Sequence, residues 1–253
     1  MAFLAADAYD SFMGRFSRHL AGPFADRAGV AAGQRALDVG CGPGALTAVL
    51  VERLGVEQVE AVDPAPAFVE AIGQRLPGVT VRLGTAEALP QEDDSVDVTM
   101  SQLVVHFMAD PVAGLTQMAR VTRPGGTVAA CVWNLERGGD GPVSAFHTAV
   151  AEIDPEWAGG QEHRLGGTRG ELGSLFRAAG MDRLTEDRLT VEVPMESFAA
   201  YWEPFRMGVG PAGDYVTGLS DPARADLEAR VRSLLPDGPF TMSVSAWCVV
   251  AQV

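Results

Sequence analysis

The most informative absence in this 253-residue chain is lysine, because all 19 of its basic residues are arginine. Without a lysine amine the chain cannot form a Schiff base or attach pyridoxal phosphate. It also lacks the lysine of a phosphate-binding P-loop and of the Tyr–Lys pair used by short-chain dehydrogenases. These four kinds of chemistry are therefore excluded.

Cysteine is also scarce, with only Cys41, Cys131 and Cys248 in the whole chain. The three are odd in number, far apart and set among apolar residues, as expected for small core residues in a reducing compartment. No metal-ligand spacing occurs among these cysteines and the four histidines. We therefore expect neither a disulfide framework nor a metal site.

Positive charge is in the minority, and the formal net charge is −14. Such a balance argues against nucleic acid or an anionic membrane as a partner, since both would repel the protein. The N-terminus shows no basic-then-apolar leader, and no apolar run reaches membrane-spanning length. The sequence predicts a cytoplasmic protein that does not bind membranes.

Residues 36–50 organise the rest of the chain. Ala36–Val39 is predicted to form a short buried strand, and Gly40, Gly42 and Gly44 follow it at once. Apolar residues at helical spacing come next, so the pattern indicates a strand, a glycine-lined turn and a helix. Glycine permits positive φ and lets a ligand lie against the backbone, where the helix N-terminus presents unpaired N–H groups. This is typical of a nucleotide-binding α/β unit.

The glycine turn by itself leaves two classes of enzyme open. LDVGCGPG resembles the first motif, G-x-G-x-G, of class I S-adenosylmethionine (SAM)-dependent methyltransferases. The dinucleotide-binding fingerprint G-x-G-x-x-G/A is also met, by Gly40, Gly42 and Ala45. A nicotinamide-dependent oxidoreductase is therefore the first alternative, and a SAM-binding protein without catalysis is the second.

Two later segments favour the methyltransferases. GTAEALP (84–90) resembles the family signature G-D-A-x-x-L-P, although Thr85 stands where the family often has aspartate. Residues 120–126, R-V-x-R-P-G-G, resemble a third family segment that dehydrogenases do not require. The lead-in YDSFMGRFSRHL is similar to that of methyltransferases of the ubiquinone and menaquinone biosynthesis type. The matches cover roughly the first half of the chain.

Asp63 is a predicted cofactor residue that is supported by its position relative to the glycine turn as well as by the resemblance. It ends the second predicted strand, 23 residues after Gly40, where doubly wound folds place the acid that accepts ribose hydroxyls. The resemblance implies SAM as the cofactor and a wider set of contacts. The full predicted set is Tyr9, Arg15, Asp38, Gly40, Cys41, Gly42, Gly44, Asp63, Pro64, Thr85, Ala86, Glu87, Ser101 and Gln102.

The expected fold is α/β, a Rossmann-like seven-stranded sheet with six parallel strands and one antiparallel strand, and with helices on both faces. We expect one domain over residues 1–253, with a helical substrate cover from insertions at about 134–167 and 195–236.

Tyr201 and Trp202 on a cover helix are predicted to line an acceptor pocket, with His106 and Trp133 as its floor. His106 could act as a general base, although a histidine after a strand is more often structural. The predicted reaction is methyl transfer to a small-molecule acceptor, by a monomer or homodimer.

Overall fold

The computed structural model describes residues 10–136, 138–157, 165–208 and 210–253. The described strands are β1 (Ala36–Val39), β2 (Val59–Asp63), β3 (Thr80–Leu83), β4 (Val96–Gln102), β5 (Thr122–Trp133), β6 (Leu184–Met195) and β7 (Phe240–Gln252). The described α-helices are α1 (Arg15–Arg27), α2 (Ala45–Leu54), α3 (Pro66–Arg75), α4 (Pro111–Val121), α5 (Ser144–Ile153), α6 (Glu171–Ala178), α7 (Phe198–Arg206), α8 (Gly210–Gly218) and α9 (Asp221–Ser233). A π-helical turn, Asp10–Gly14, precedes α1, and a 3-10 turn, Val105–Phe107, follows β4.

The seven strands form one sheet in the order β3-β2-β1-β4-β5-β7-β6. The neighbours from β3 to β5 are parallel, whereas β7 runs antiparallel to both β5 and β6. Six strands therefore share one direction and β7 opposes them, which confirms the predicted topology. After β1 the chain forms β2 and β3 on one side of that strand, and it later adds β4 on the other side. Ligands bind at the carboxyl end of such a switch point.

Successive apolar side chains of the strands point to opposite faces of the sheet, so a hydrophobic core forms on each face. In β5, Ala129, Cys131 and Trp133 join the apolar cluster under α1, α2, α5 and α7 to α9. The intervening residues Val128 and Val132 join a second cluster under α4 and α6. Because successive side chains of a strand point to opposite faces, this strand is covered by helices on both sides.

The apolar run TVAACVW predicts a strand over residues 127–133, and β5 begins five residues before it, at Thr122. Thr122 already pairs with Val96, whereas the next pair in register is Thr127 with Val98. The intervening RPGG segment is a bulge, in which Gly125 has φ +78. The motif thus lies inside a strand instead of preceding it.

The apolar pattern of segment 195–236 predicts two helices, one that carries Phe198 and Phe205 and one that starts at Asp221, whereas the described part of the segment holds three. Gly208 has φ +69 and Gly210 has φ +67, so the chain turns between α7 and α8. The extra helix α8 carries few large apolar residues (GPAGDYVTG), which explains why its periodicity is weak in the sequence.

Two expected absences can be compared with the described part of the chain. Its three cysteines are free and buried, and no group of three or more potential metal ligands occurs within it. None of its helices combines the length and apolar character needed to cross a membrane.

Candidate active site

A cavity of about 630 Å³ opens at the carboxyl end of the sheet, at the switch point beside β1. Its size falls within the usual range for small-molecule sites. It is lined by the glycine turn, the end of β2 and start of α3, the segment after β4, and one residue of α1. The lining residues are Ser17, Asp38, Gly40, Cys41, Gly42, Pro43, Ala45, Leu46, Asp63, Pro64, Ala65, Pro66, Ala67, Phe68, Gln102, Leu103, Val104 and Phe107.

The glycine turn has the conformation that its sequence predicts. Gly40, Gly42 and Gly44 have φ of +73, +53 and +98, values that side chains disfavour. A Cβ at Gly40 would lie 2.5 Å from Cγ1 of Val104, whereas a Cβ at Gly42 would meet nothing within 4 Å. Gly40 is therefore required by its close approach to the chain after β4. The space above Gly42 is left for a ligand.

Asp63 holds the turn and faces the cavity at the same time. Its Oδ2 accepts a hydrogen bond of 2.8 Å from the N–H of Gly42, and its Oδ1 accepts one of 2.8 Å from the N–H of Ala65. The side chain is buried, which raises the pKa of its carboxyl group, and the two N–H donors oppose this shift. A carboxylate oxygen has capacity for further donors, so Asp63 can hold the turn and bind hydroxyl groups together.

A second carboxyl group, Asp38, lies at the base of the cavity and is only 1% exposed. Burial raises the pKa of Asp38 to about 7, and the negative charge of Asp63 raises it slightly further. A hydrogen bond of 2.7 Å from Oγ1 of Thr47 acts in the opposite direction and lowers the pKa. Burial also raises the pKa of the neighbouring Cys41 thiol. Cys41 therefore stays a thiol at neutral pH and is unsuited to be a nucleophile.

The remaining predicted cofactor residues divide into two groups. Pro64 and Gln102 line the cavity. Ser101 is fully buried under it and donates a hydrogen bond of 3.0 Å to the carbonyl of Val39, so it supports β1. Tyr9 lies outside the described residues.

The Thr85–Glu87 segment is not part of the described cavity lining. Thr85 is exposed and Ala86 packs in the core under α4. The Oε1 of Glu87 accepts hydrogen bonds of 2.8 and 3.2 Å from the N–H groups of Ala109 and Asp110. This carboxylate therefore anchors the loop before α4, and the structure does not bring these three side chains to the cavity.

The guanidinium group of Arg15 binds α7, and Arg15 is not in the described lining of the cavity. It donates to the carbonyl oxygens of Ala200 and Tyr201, the latter at 3.2 Å, and Nε donates to Phe12 at 3.2 Å. Burial lowers the pKa of Arg15. Since helix carbonyls occupy its donors, Arg15 is a link between α1 and the cover, and not a lining residue.

None of the four residues of the predicted acceptor pocket is in the described lining of this cavity, so that pocket stays a prediction. Tyr201 and Trp202 are 0% and 2% exposed, and both are buried in the core of the cover. The Tyr201 hydroxyl donates to the carbonyl of Pro142 at 3.3 Å, and Trp202 stacks against Phe205 with centroids 5.5 Å apart. Large aromatic rings of this kind bury much apolar area where they pack together.

Trp133 and His106 lie nearer to the end of the sheet. Trp133 is buried and contacts the ring of Phe16 edge-on, with centroids 6.4 Å apart. His106 lies in the 3-10 turn after β4, half-buried, with its ring 4.0 Å from that of Phe107. Its neighbour Phe107 lines the cavity instead.

Several lining residues were missed by the sequence analysis, among them Ser17, Leu103, Val104 and Phe107. Ser17 gives no local signal, because its place depends on how α1 packs over the sheet. Leu103 has φ +66, a conformation that leucine rarely adopts and that no pattern indicates. The position of Phe107, just after a strand that ends at the cavity, was the one available signal.

Comparison with known proteins matches the chain to methyltransferases. Residues 37–130 match the family model described as a methyltransferase domain. An uncharacterized methyltransferase of Mycobacterium tuberculosis is 44% identical over 104 residues, which is 41% of each chain. A ubiquinone biosynthesis O-methyltransferase of Cereibacter sphaeroides is 34% identical over 160 residues, 59% of this chain and 61% of that one. The matches thus span about two fifths to three fifths of these relatives.

Solved structures show the same fold at low sequence identity. A SAM-dependent methyltransferase from Aquifex aeolicus superposes with a TM-score of 0.54 and 22% identity, over 71% of this chain and 87% of that one. The [4+2]-cyclase SpnF superposes with a TM-score of 0.57 and 20% identity, over 93% and 80%. The glycine turn and Asp63 lie within the matched residues 37–130, so this part of the chain resembles a methyltransferase domain, and the whole sheet has the fold of these solved structures.

Proposed function

We propose that this protein transfers a methyl group from SAM to a small-molecule acceptor. The observation that carries the proposal is the pair of buried carboxyl groups, Asp38 and Asp63, beside a glycine turn with open space above Gly42. No arginine or histidine is among the cavity-lining residues that the structure describes. A cationic ligand would therefore be favoured there, and SAM carries a sulfonium cation.

The residues of the cavity suit SAM better than a dinucleotide. Asp63 is placed to accept ribose hydroxyls, and the glycine turn lets a ligand approach the backbone. A dinucleotide would bring a pyrophosphate dianion towards the same two carboxyl groups, with no cationic side chain in the described lining to offset the repulsion. This charge distribution weighs against the nicotinamide-dependent alternative.

The protein's part in catalysis would be to position the acceptor. SAM supplies an already activated methyl group, so alignment of the acceptor can account for about 7–11 kcal/mol of barrier lowering. The buried Cys41 thiol and the inward-packed Tyr201 offer no nucleophile in the cavity. His106 is our candidate for a general base or substrate contact, because it lies beside the lining residue Phe107.

The second candidate is a protein that binds SAM without catalysis, because the cavity described here presents no nucleophile. Incubation with radiolabelled SAM and a metabolite pool separates the two candidates. Label in an extractable product supports the transferase, and SAM binding without any labelled product supports the second candidate. We also propose one domain, a monomeric or homodimeric state, no nucleic-acid partner and a cytoplasmic location, the last on the strength of its free, buried cysteines.

Asp63→Ala tests the cofactor site directly. Each lost charged hydrogen bond is worth about 1.5–3 kcal/mol, so SAM affinity should fall roughly 10- to 100-fold. Calorimetry with SAM and S-adenosylhomocysteine measures this loss, and NAD serves as the negative ligand. Asp226→Ala, on the exposed surface of α9, is the matched control for removal of a carboxylate. Unchanged SAM affinity in a folded Asp63→Ala variant, or tight NAD binding by the wild type, would contradict the proposal.

A further inference from the structure

Resting on the proposed function, we propose that the methyl acceptor is an uncharged, largely apolar molecule that presents a hydroxyl or N–H group. The proposal concerns one side of the cavity, which we call the acceptor wall: Ser17, Gln102, Leu103, Val104 and Phe107. The carboxyl groups of Asp38 and Asp63 in the same cavity disfavour carboxylate and phosphate acceptors.

The acceptor wall directly adjoins the glycine turn. The Val104 side chain lies so close to Gly40 that a Cβ there would be 2.5 Å from it. The glycine turn, Asp63 and the start of α3 line other parts of the cavity, and we assign the wall to the second ligand. At the cavity mouth, Phe107 is 45% exposed although it lines the site. An exposed aromatic ring at a cavity mouth indicates an apolar partner.

The chain at this wall is held in a strained conformation. Leu103 has φ +66 and is nevertheless buried, and its N–H donates to the carbonyl of Cys131 at 2.8 Å. Such a conformation costs leucine free energy, and strain of this kind concentrates at ligand sites. Here it turns the chain sharply at the end of β4, between Gln102 and Val104.

The electrostatics of the cavity disfavour an anionic acceptor. Its described lining contains the carboxyl groups of Asp38 and Asp63 and no cationic side chain. Arg15 donates to carbonyls of α7, and Arg75 donates to the carbonyl of Pro43 at 3.2 Å from outside the lining. An anion entering here would lose its hydration without gaining a counter-ion, which is strongly unfavourable.

The hydrogen-bonding groups of the acceptor wall point in the same direction. The Ser17 hydroxyl donates to the carbonyl of Gly14 at 3.3 Å, and Nε2 of Gln102 donates to the carbonyl of Ser17 at 3.0 Å. The Ser17 carbonyl can only accept, and this fixes which end of the Gln102 amide faces it. Oε1 of Gln102 is left buried with no donor among the described residues. The wall therefore has an unused acceptor, which a hydroxyl or N–H group would satisfy after a small displacement of α1.

The first test uses two probes of similar shape, 4-propylphenol and 4-propylbenzoate, titrated into protein saturated with S-adenosylhomocysteine. Calorimetry at pH 8 keeps the phenol neutral, the benzoate ionised and histidine uncharged. We expect the phenol to bind at least about tenfold more tightly than the benzoate. Equal or tighter binding of the benzoate, or no binding of the phenol, would overturn the proposal. Failure of S-adenosylhomocysteine to bind in the first place would instead overturn the proposed function.

The second test uses variants of the wall. Phe107→Arg introduces a cation at the mouth and should raise benzoate affinity, whereas Phe107→Gln, without a charge, should not. Gln102→Leu should lower phenol affinity by about tenfold while the affinity for 4-propylanisole, which has no donor, stays unchanged. Loss of S-adenosylhomocysteine affinity in Gln102→Leu, or equal losses for the phenol and the anisole, would remove Gln102 from the acceptor wall.

Discussion

Arg15 donates a hydrogen bond to the carbonyl oxygen of Ala200, the carbonyl that Pro204 leaves without its helical partner. In an α-helix this oxygen would accept from the N–H four residues later, and proline has none. A second bond, to Tyr201, joins the same two helices. Arg15 thus supplies α7 with a hydrogen-bond donor that Pro204 lacks. The same bond attaches α1, the helix that brings Ser17 to the cavity, to the helical cover.

The first prediction tests this repair with a double-mutant cycle. Arg15→Met should lower the free energy of unfolding by about 1–3 kcal/mol, because it leaves helix carbonyls without donors. Pro204→Ala supplies the missing N–H, so Arg15→Met should cost less in that background than in the wild type. Urea unfolding of the four proteins measures the coupling. Strict additivity would show that Pro204 and Arg15 act independently.

The second prediction concerns the contact between the glycine turn and the acceptor wall. Gly40→Ala should destabilise the protein by roughly 1–3 kcal/mol, since its Cβ would overlap the Val104 side chain at a positive φ. The two methyl groups of Val104 would lie 2.5 and 2.6 Å from that Cβ, and Val104→Ala removes both. The double variant should therefore recover part of the stability that Gly40→Ala loses. Gly42→Ala, which meets nothing within 4 Å, is the control for conformational strain alone.

The same urea titrations decide the second prediction. We expect Gly40→Ala to be clearly less stable than Gly42→Ala. The prediction fails if the two variants unfold alike, or if Val104→Ala costs as much in the Gly40→Ala background as it does alone.

The parts of the site that the sequence predicts are those set by local physics. A glycine run after an apolar strand, and Asp63 at the next strand end, require only neighbouring residues, and the structure brings both to one cavity. The surroundings of Arg15 and Tyr201 could not be predicted from the sequence, because they depend on a contact between segments 185 or more residues apart. No local pattern distinguishes an aromatic ring that lines a pocket from one buried within a helical cover.

The same limit explains the Thr85–Glu87 segment. Its resemblance to a family signature is a matter of sequence order, which does not fix where its side chains point. Whether the Glu87 carboxylate faces a ligand or the backbone depends on the loop before α4. That loop presents the N–H groups of Ala109 and Asp110 to Glu87, and they engage its Oε1.

The third prediction is a pH dependence set by Asp38. Burial raises the pKa of its carboxyl group to about 7 in the folded protein, against an ordinary value of 3.8 in the unfolded chain. Between these values the folded state binds more protons, so the stability of the ligand-free protein should fall as pH rises and level off above about pH 7. The full change is on the order of 4 kcal/mol. Asp38→Asn should remove this decline in urea unfolding measured from pH 4.5 to 8.

The ligands extend this test, because a cation favours the ionised form of Asp38. SAM affinity should therefore rise with pH through about 7, as the proton leaves. S-adenosylhomocysteine, which lacks the sulfonium charge, should show a weaker rise under the same conditions. Equal pH dependence for the two ligands, or one that persists in Asp38→Asn, would assign the effect to another group.

The last prediction separates structure from function in the cover. Trp202 is 2% exposed, and its Nε1 is a buried donor with no partner among the described residues. Trp202→Phe removes that unsatisfied N–H while keeping an aromatic ring, so it should cost less stability than Trp202→Ala, for which about 3–5 kcal/mol is expected. Tyr201→Phe loses only the 3.3 Å bond to the Pro142 carbonyl and should cost about 1 kcal/mol. Because neither ring lines the cavity, both phenylalanine variants should retain SAM affinity and methyl transfer in the radiolabel assay. Loss of transfer with unchanged thermal stability in either variant would return that ring to the acceptor pocket.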